Sequence, residues 1–230
     1  MEQKTQNPEK ITKNITKKQL GRVVTDALKE IYPDAECALD YKGDPWKLLI
    51  MARLSAQCTD ARVNLVCQTL FAELPTMEAM ANADISLIEG LVHSCGLYRM
   101  KAKDLKEMSR QLISDFGGKV PSDIDDLLSL SGVGRKIANL IRGDLYHLPA
   151  IVADTHCIRI CGRLGFYPEA LKDPTKVERE LVRVIDPSEQ SDFCHRIVLF
   201  GRETCSSRAP KCEGCPLNHL CKKYLKERKK

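Results

Sequence analysis

No part of the 230-residue chain approaches the roughly 20-residue apolar run needed to cross a bilayer. The opening MEQKTQNPEK has no apolar stretch, which excludes a secretory signal. It carries two glutamates and no arginine, unlike an organellar transit peptide. No segment sustains the two-residue alternation of a half-buried strand, and there is no internal repeat or low-complexity tract. From these absences the chain is expected to be cytoplasmic with no membrane role; a monomer is expected as well. With 43% hydrophobic and 29% charged residues, it is composed like an ordinary globular protein. Its length suffices for one large domain or two small lobes.

The net charge of +5 sits at the ends. Residues 1–20 hold five lysines and two glutamates, and residues 222–230 hold six cations and one glutamate, which leaves the middle slightly acidic. Basic arms or a local basic face could grip a polyanion such as DNA, but solvated ends explain the same charge, so charge alone does not decide.

Helical periodicity runs through nearly the whole chain, and the expected fold class is all-α. Leu20, Val23, Val24, Ala27, Leu28 and Ile31 repeat at three- and four-residue spacing on a first helix. PWKLLIMARLSAQ is apolar on most faces, as a helix buried in a core would be. Thr59 or Asp60 is placed to cap the next helix, and a long helix after Tyr98 should stop at Gly117-Gly118. Ser122, followed three residues later by Asp125, has the form of a capping box. Further helices are expected near 135–146, 154–164, 175–185 and 189–202.

Eleven cysteines are many for a reducing compartment. Cys37, Cys58, Cys67, Cys95, Cys157, Cys161 and Cys194 are scattered among apolar helical residues and read as small buried hydrophobes. The other four, Cys205, Cys212, Cys215 and Cys221, form C-x6-C-x2-C-x5-C near the C-terminus. A disulfide framework does not suit a cytosol, so a metal centre is the better reading. Four thiolates suit zinc or an iron–sulfur cluster. Zinc ribbons use two separated C-x2-C knuckles, whereas this compact wrap has one, which favours a cubane. Between the ligands, SSRAPK would then become a rigid basic finger bearing Arg208 and Lys211, unless those two cations only solvate a loop.

LSGVGRKIANL (130–140) places Gly132 and Gly134 around Val133, then opens a helix with Arg135 and Lys136. A helix N-terminus is the positive end of the dipole, an unfavourable place for a protonated lysine. The same turn offers backbone N–H groups to an anion such as phosphate. Gly-x-Gly alone is weak, because glycines also build turns that bind nothing. Eighteen residues beyond Lys136, VADTHCIRI puts Asp154 at the start of another helix, where an aspartate is also a common cap.

In this order and spacing, LSGVGRKIA, VADTHCIRI and the four-cysteine pattern resemble the endonuclease III family, the iron–sulfur helix–hairpin–helix DNA glycosylases. LSAQCTDARVN (54–64) and CGLYRMKA (95–102) match the family's upstream segments, so the resemblance spans residues 20–222. It implies a six-helix domain at 38–148. A second lobe of 1–37 with 149–230 would carry a [4Fe–4S] cluster on Cys205, Cys212, Cys215 and Cys221. A cleft between the lobes would hold Lys136 as nucleophile and Asp154 as the catalytic carboxylate. The implied substrate is double-stranded DNA containing damaged pyrimidines or abasic sites. The implied reaction is base removal through a Schiff base, followed by β-elimination 3′ to the abasic site. Gln57 and Leu97 occupy the family's plug and wedge positions, which fill the gap left by a flipped nucleotide.

Three positions depart from the pattern: Ser131 stands where proline is common, Ile137 where threonine is, and Ala153 where valine is. Losing proline should loosen the hairpin turn slightly. Two alternatives stand beside the main reading. One keeps the fold but acts on mismatched uracil or thymine. The other is a non-catalytic DNA-binding protein, against which Lys136 and Asp154 argue, since neither is needed merely to hold phosphate.

Overall fold

The computed structural model describes residues 15–228, and every regular element among them is a helix. Most of the N-terminal basic arm, and Lys229 and Lys230, lie outside the described residues. The α-helices are α1 (Lys17–Ile31), α2 (Pro45–Leu54), α3 (Asp60–Glu73), α4 (Met77–Asn82), α5 (Ile85–Val92) and α6 (Tyr98–Phe116). They continue with α7 (Ile124–Ser129), α8 (Arg135–Tyr146), α9 (Thr155–Leu164), α10 (Pro174–Val182), α11 (Gln190–Glu203) and α12 (Lys222–Glu227). The chain divides into two units: Cys37–His147, and the segments on either side of it.

The Cys37–His147 unit is built around α2. Every residue of that helix from Leu48 to Leu54 is buried, as is Trp46, and α3, α6 and α8 pack against it. A helix apolar all round has no solvent face to offer, so it must lie at the centre of a bundle. Asp44 caps it by accepting from the Lys47 N–H at 3.2 Å, and Pro45 at the first position needs no hydrogen-bond partner for its nitrogen. Trp46 donates to Ser109 Oγ at 3.2 Å, which satisfies its buried indole. Thr59 rather than Asp60 caps α3, and Gly117, at φ 59°, ends α6 in the left-handed conformation. The capping box expected at Ser122 does not form. Asp123 is the cap of α7, accepting from the Asp125 and Asp126 N–H groups at 2.8 and 3.3 Å. One residue further along, a carboxylate is the stronger acceptor and can serve both orphan donors.

In the other unit, α11 packs on α1 and α9. Leu20, Val24 and Leu28 of α1 are buried, but Val23 and Ile31 are exposed, so its apolar stripe is narrower than the sequence pattern suggests. Arg196 of α11 bonds the Tyr32 carbonyl just past α1 and forms ion pairs with Glu189 at 3.0 Å and Asp192 at 2.9 Å. Gly201 permits the α9–α11 approach: a Cβ there would lie 2.3 Å from His156 Nδ1. Among the scattered cysteines, Cys67, Cys95, Cys157, Cys161 and Cys194 are buried, while Cys37 and Cys58 are half-buried.

Candidate active site

The Gly132–Gly134 turn follows α7 and leads into α8. Val133 points inward at 7% exposure and joins the core, while both glycines stay at the surface. Gly132 has φ 74°, and a Cβ there would stand 2.6 Å from Arg53 Nε and 2.8 Å from Asp104 Cβ. Only glycine satisfies both the backbone angle and the close approach. Gly134 is the N-cap of α8 and has no side chain with which to cap it. Lys136 follows on the second residue of that helix, with its side chain exposed.

The turn is tied down more firmly than the absence of proline suggests. Ser131 donates its N–H to Gln111 Oε1 at 2.7 Å and its hydroxyl to Asp104 Oδ1 at 3.1 Å. Asp104 Oδ2 in turn accepts from Arg53 Nε at 2.8 Å and Nη2 at 2.6 Å. A proline could make neither Ser131 bond, so hydrogen bonding replaces ring stiffness as the source of rigidity. Arg53, Asp104 and Gln111 are not singled out by the sequence pattern. An arginine inside the apolar stretch LLIMARL is the available signal, since a buried guanidinium needs a carboxylate.

Gln57 and Leu97 belong to the same unit, each at an exposed turn. Both have left-handed backbones, at φ 56° and 48°. Gln57 lies three residues beyond the end of α2, outside any helix, and Leu97 immediately precedes α6 with half of its surface exposed. Leu97 is therefore not the core residue that the apolar side chain alone would allow. Such conformations cost non-glycine residues about 1 kcal/mol or more and persist only where the surroundings enforce them. Lys101 reaches both turns, donating to the Ala56 and Cys95 carbonyls. It is wholly buried, and burial pushes the pKa of its ammonium below the ordinary lysine value.

Asp154 lies in the other unit, where it caps α9 by accepting the Cys157 N–H on Oδ1 at 2.7 Å. The far end of the same helix reaches the cysteine loop. Arg159 donates to the Cys205 carbonyl at 3.1 Å. Arg163 donates to the carbonyls of Ser206 at 2.8 Å and Ser207 at 2.9 Å, and to Cys205 Sγ at 3.3 Å. Arg208 and Lys211 project from this anchored loop and are exposed. Cys205, Cys212, Cys215 and Cys221 all line one cavity, together with Ile160 and Phe200. Burial pushes the thiols of Cys212, Cys215 and Cys221 up, that of Cys215 to about 11, and neighbouring thiols add to the effect. Among the described residues, no three His, Cys, Asp or Glu side chains converge as single-ion ligands do. Four thiols lining one cavity are a donor set that suits an iron–sulfur cluster or zinc.

No helix among the described residues is long and apolar enough to cross a membrane. Residues 50–187 match the family model of the HhH-GPD superfamily base excision DNA repair proteins. The endonuclease III of Synechocystis sp. is 40% identical over 212 residues, covering 92% of this chain and 95% of its own length. Two solved structures match with a TM-score of 0.87 at 39% identity, each covering 94% of this chain and 100% of its own. One is a non-covalent endonuclease III–DNA complex, and the other a trapped endonuclease III–DNA covalent intermediate described as an estranged-adenine complex. The chain accordingly belongs to the endonuclease III family, within the HhH-GPD superfamily of base excision DNA repair proteins.

Proposed function

We propose that the chain excises oxidised pyrimidines from duplex DNA and then cleaves the strand 3′ to the resulting abasic site, as a cytoplasmic monomer acting on the chromosome. The observation that carries this reading is the position of Lys136. It is an exposed amine on the first turn of α8, directly after a rigid Gly-x-Gly hairpin. The hairpin suits a phosphate backbone, because the start of α8 has no side-chain cap and carries the positive end of the helix dipole.

In this mechanism the hairpin amides of Gly132 and Gly134 hold the backbone beside the lesion. Lys136 Nζ attacks C1′ of the flipped nucleotide, and the base leaves with a proton. The C1′–O4′ bond then breaks, with O4′ taking a proton from the nitrogen, to leave a ring-opened Schiff base. This acidifies the C2′ hydrogen, and β-elimination breaks the C3′–O bond and releases the 3′ phosphate. Asp154 serves as proton acceptor and stabilises positive charge developing on the sugar. Its second oxygen is available for this work because Oδ1 is the one engaged by the Cys157 N–H. Gln57 and Leu97 occupy the space vacated by the extruded nucleotide.

Cys205, Cys212, Cys215 and Cys221 would hold a [4Fe–4S] cluster, supported by the cavity they share and by the Arg163 N–H directed at Cys205. Its contribution is a cross-link that stiffens the loop carrying Arg208 and Lys211 against the DNA backbone. The test of the function is reductive trapping. Borohydride should fix a covalent adduct between the protein and abasic duplex DNA, and Lys136→Ala should abolish the adduct while retaining abasic-DNA binding. Undiminished trapping by Lys136→Ala would place the nucleophile elsewhere.

A further inference from the structure

Lys101 is the fourth residue of α6 and is wholly buried, yet no carboxylate pairs with it among its hydrogen bonds. Its three ammonium hydrogens go to three backbone carbonyls: Leu54 at 2.7 Å, Ala56 at 2.8 Å and Cys95 at 2.8 Å. Its own N–H donates to the Leu97 carbonyl at 3.0 Å. Leu54 is the last residue of α2, where the final carbonyls have no partner within the helix and a cation is favoured by the dipole. Ala56 is the residue before Gln57, and Cys95 is two residues before Leu97. The two left-handed turns are thereby joined through one tetrahedral donor. A methionine could not satisfy the three carbonyls, and the planar fork of an arginine does not match them.

We propose that Lys101 is a positioning residue for nucleotide extrusion, clamping the Gln57 and Leu97 turns to each other so that the two side chains enter the duplex as one rigid unit. The proposal rests on the glycosylase–lyase reading above. A lysine used only for stability would bond whatever backbone lies nearest. This one bonds Ala56 and Cys95, beside the two left-handed turns at Gln57 and Leu97, whose side chains are exposed.

The test is a double-mutant cycle on surface variants that keep the fold. Strand cleavage is measured on a duplex with one abasic site opposite a purine, and on the same strand alone. On the duplex, Gln57→Ala and Leu97→Ala should be coupled by about tenfold, because losing one half of a rigid plug already disables the other. On the single strand, both variants should lose less activity than they lose on the duplex. In a Lys101→Met background the coupling should vanish, and the duplex rate should fall by more than the single-strand rate. Additive effects in the native background, or coupling that survives Lys101→Met, would overturn the clamp while leaving the lyase reading intact. A native protein that cleaves neither substrate would remove both. Should Lys101→Met not fold, the cycle in the native background still decides.

Discussion

Arg53 and Ser131, from α2 and from the hairpin, share a single carboxylate: one oxygen of Asp104 takes the guanidinium at 2.6 Å, and the other takes the hydroxyl at 3.1 Å. The hairpin is thus fastened to the most buried helix of its unit through an ion pair whose side chains are only 9% and 15% exposed. Asp104→Ala should destabilise the protein by about 3 kcal/mol or more, because the Arg53 charge would be left buried without a partner. Gly132→Ala should also destabilise it and should weaken abasic-DNA binding, since its Cβ would displace both partners. Urea unfolding checks the first effect and DNA titration the second. A drop below 1 kcal/mol for Asp104→Ala would mean that the pair does not hold the turn.

Helix boundaries are legible wherever the chain states its own punctuation. The pair Gly117-Gly118, the Gly-x-Gly before α8 and the apolar face that follows set their elements to within a residue. Asp154 is legible as a cap, and the four spaced cysteines do line one cavity together. The partners of the buried cations are not legible. Lys101 looks like a surface residue in the sequence, and although the apolar neighbours of Arg53 hint at its burial, nothing in the sequence points to Asp104 as its partner. Ser131 misleads for a related reason: its departure from proline reads as a missing constraint, while the bonds it gains depend on Asp104 and Gln111, about 20 to 27 residues away.

The cysteine loop should yield a brown protein when purified without air, with one [4Fe–4S] cluster per chain. Cys212→Ser should lose most of the visible absorption, and iron and sulfide analysis should fall with it. The motive for expecting a cluster is the compact spacing of the four cysteines and the cavity that they line together. A colourless anaerobic preparation with one zinc per chain would reverse the assignment.

Arg208→Ala and Lys211→Ala should each weaken DNA binding without disturbing the cluster, since neither is a ligand and the loop is held by Arg163 through backbone carbonyls. The plot of log affinity against log salt should flatten by about 0.9 for each phosphate no longer neutralised. Identical slopes in both variants and the native protein would make the two cations ordinary solvated residues.

Acid should loosen the packing between α1 and α11 at Glu189. Hydrogen bonds from Lys29 at 2.6 Å and from Arg196 at 3.0 Å hold its carboxyl below the ordinary value of 4.5. A depressed folded-state pKa means stability that is present above pH 4.5 and lost as pH falls through the lower folded value. Glu189→Gln should therefore cost up to about 1 kcal/mol at neutral pH, a small figure because Lys29 is more than half exposed. The difference from the native protein should shrink on acidification below pH 4.5. A gap between the two melting temperatures that stays constant from pH 7 to pH 3 would contradict the linkage.

Asp154 is the cap of α9 and the proposed proton acceptor, and two substitutions distinguish these roles. Its Oδ1 caps α9 through the Cys157 N–H at 2.7 Å, a bond an asparagine oxygen can also make. Asparagine and aspartate are similarly good at this position, whereas alanine costs about 1 kcal/mol. Asp154→Asn should thus melt close to the native temperature, and Asp154→Ala should melt lower. Both should bind abasic DNA, because the hairpin proposed to grip phosphate leads into α8 and does not include Asp154. Both should turn over at least about 100-fold more slowly, the lower end of what a positioned general base contributes, since neither an amide nor a methyl group can take the proton or stabilise the sugar cation. If Asp154→Asn retained native turnover while Asp154→Ala lost it, the aspartate would be only a cap, and the proton acceptor would have to be sought elsewhere.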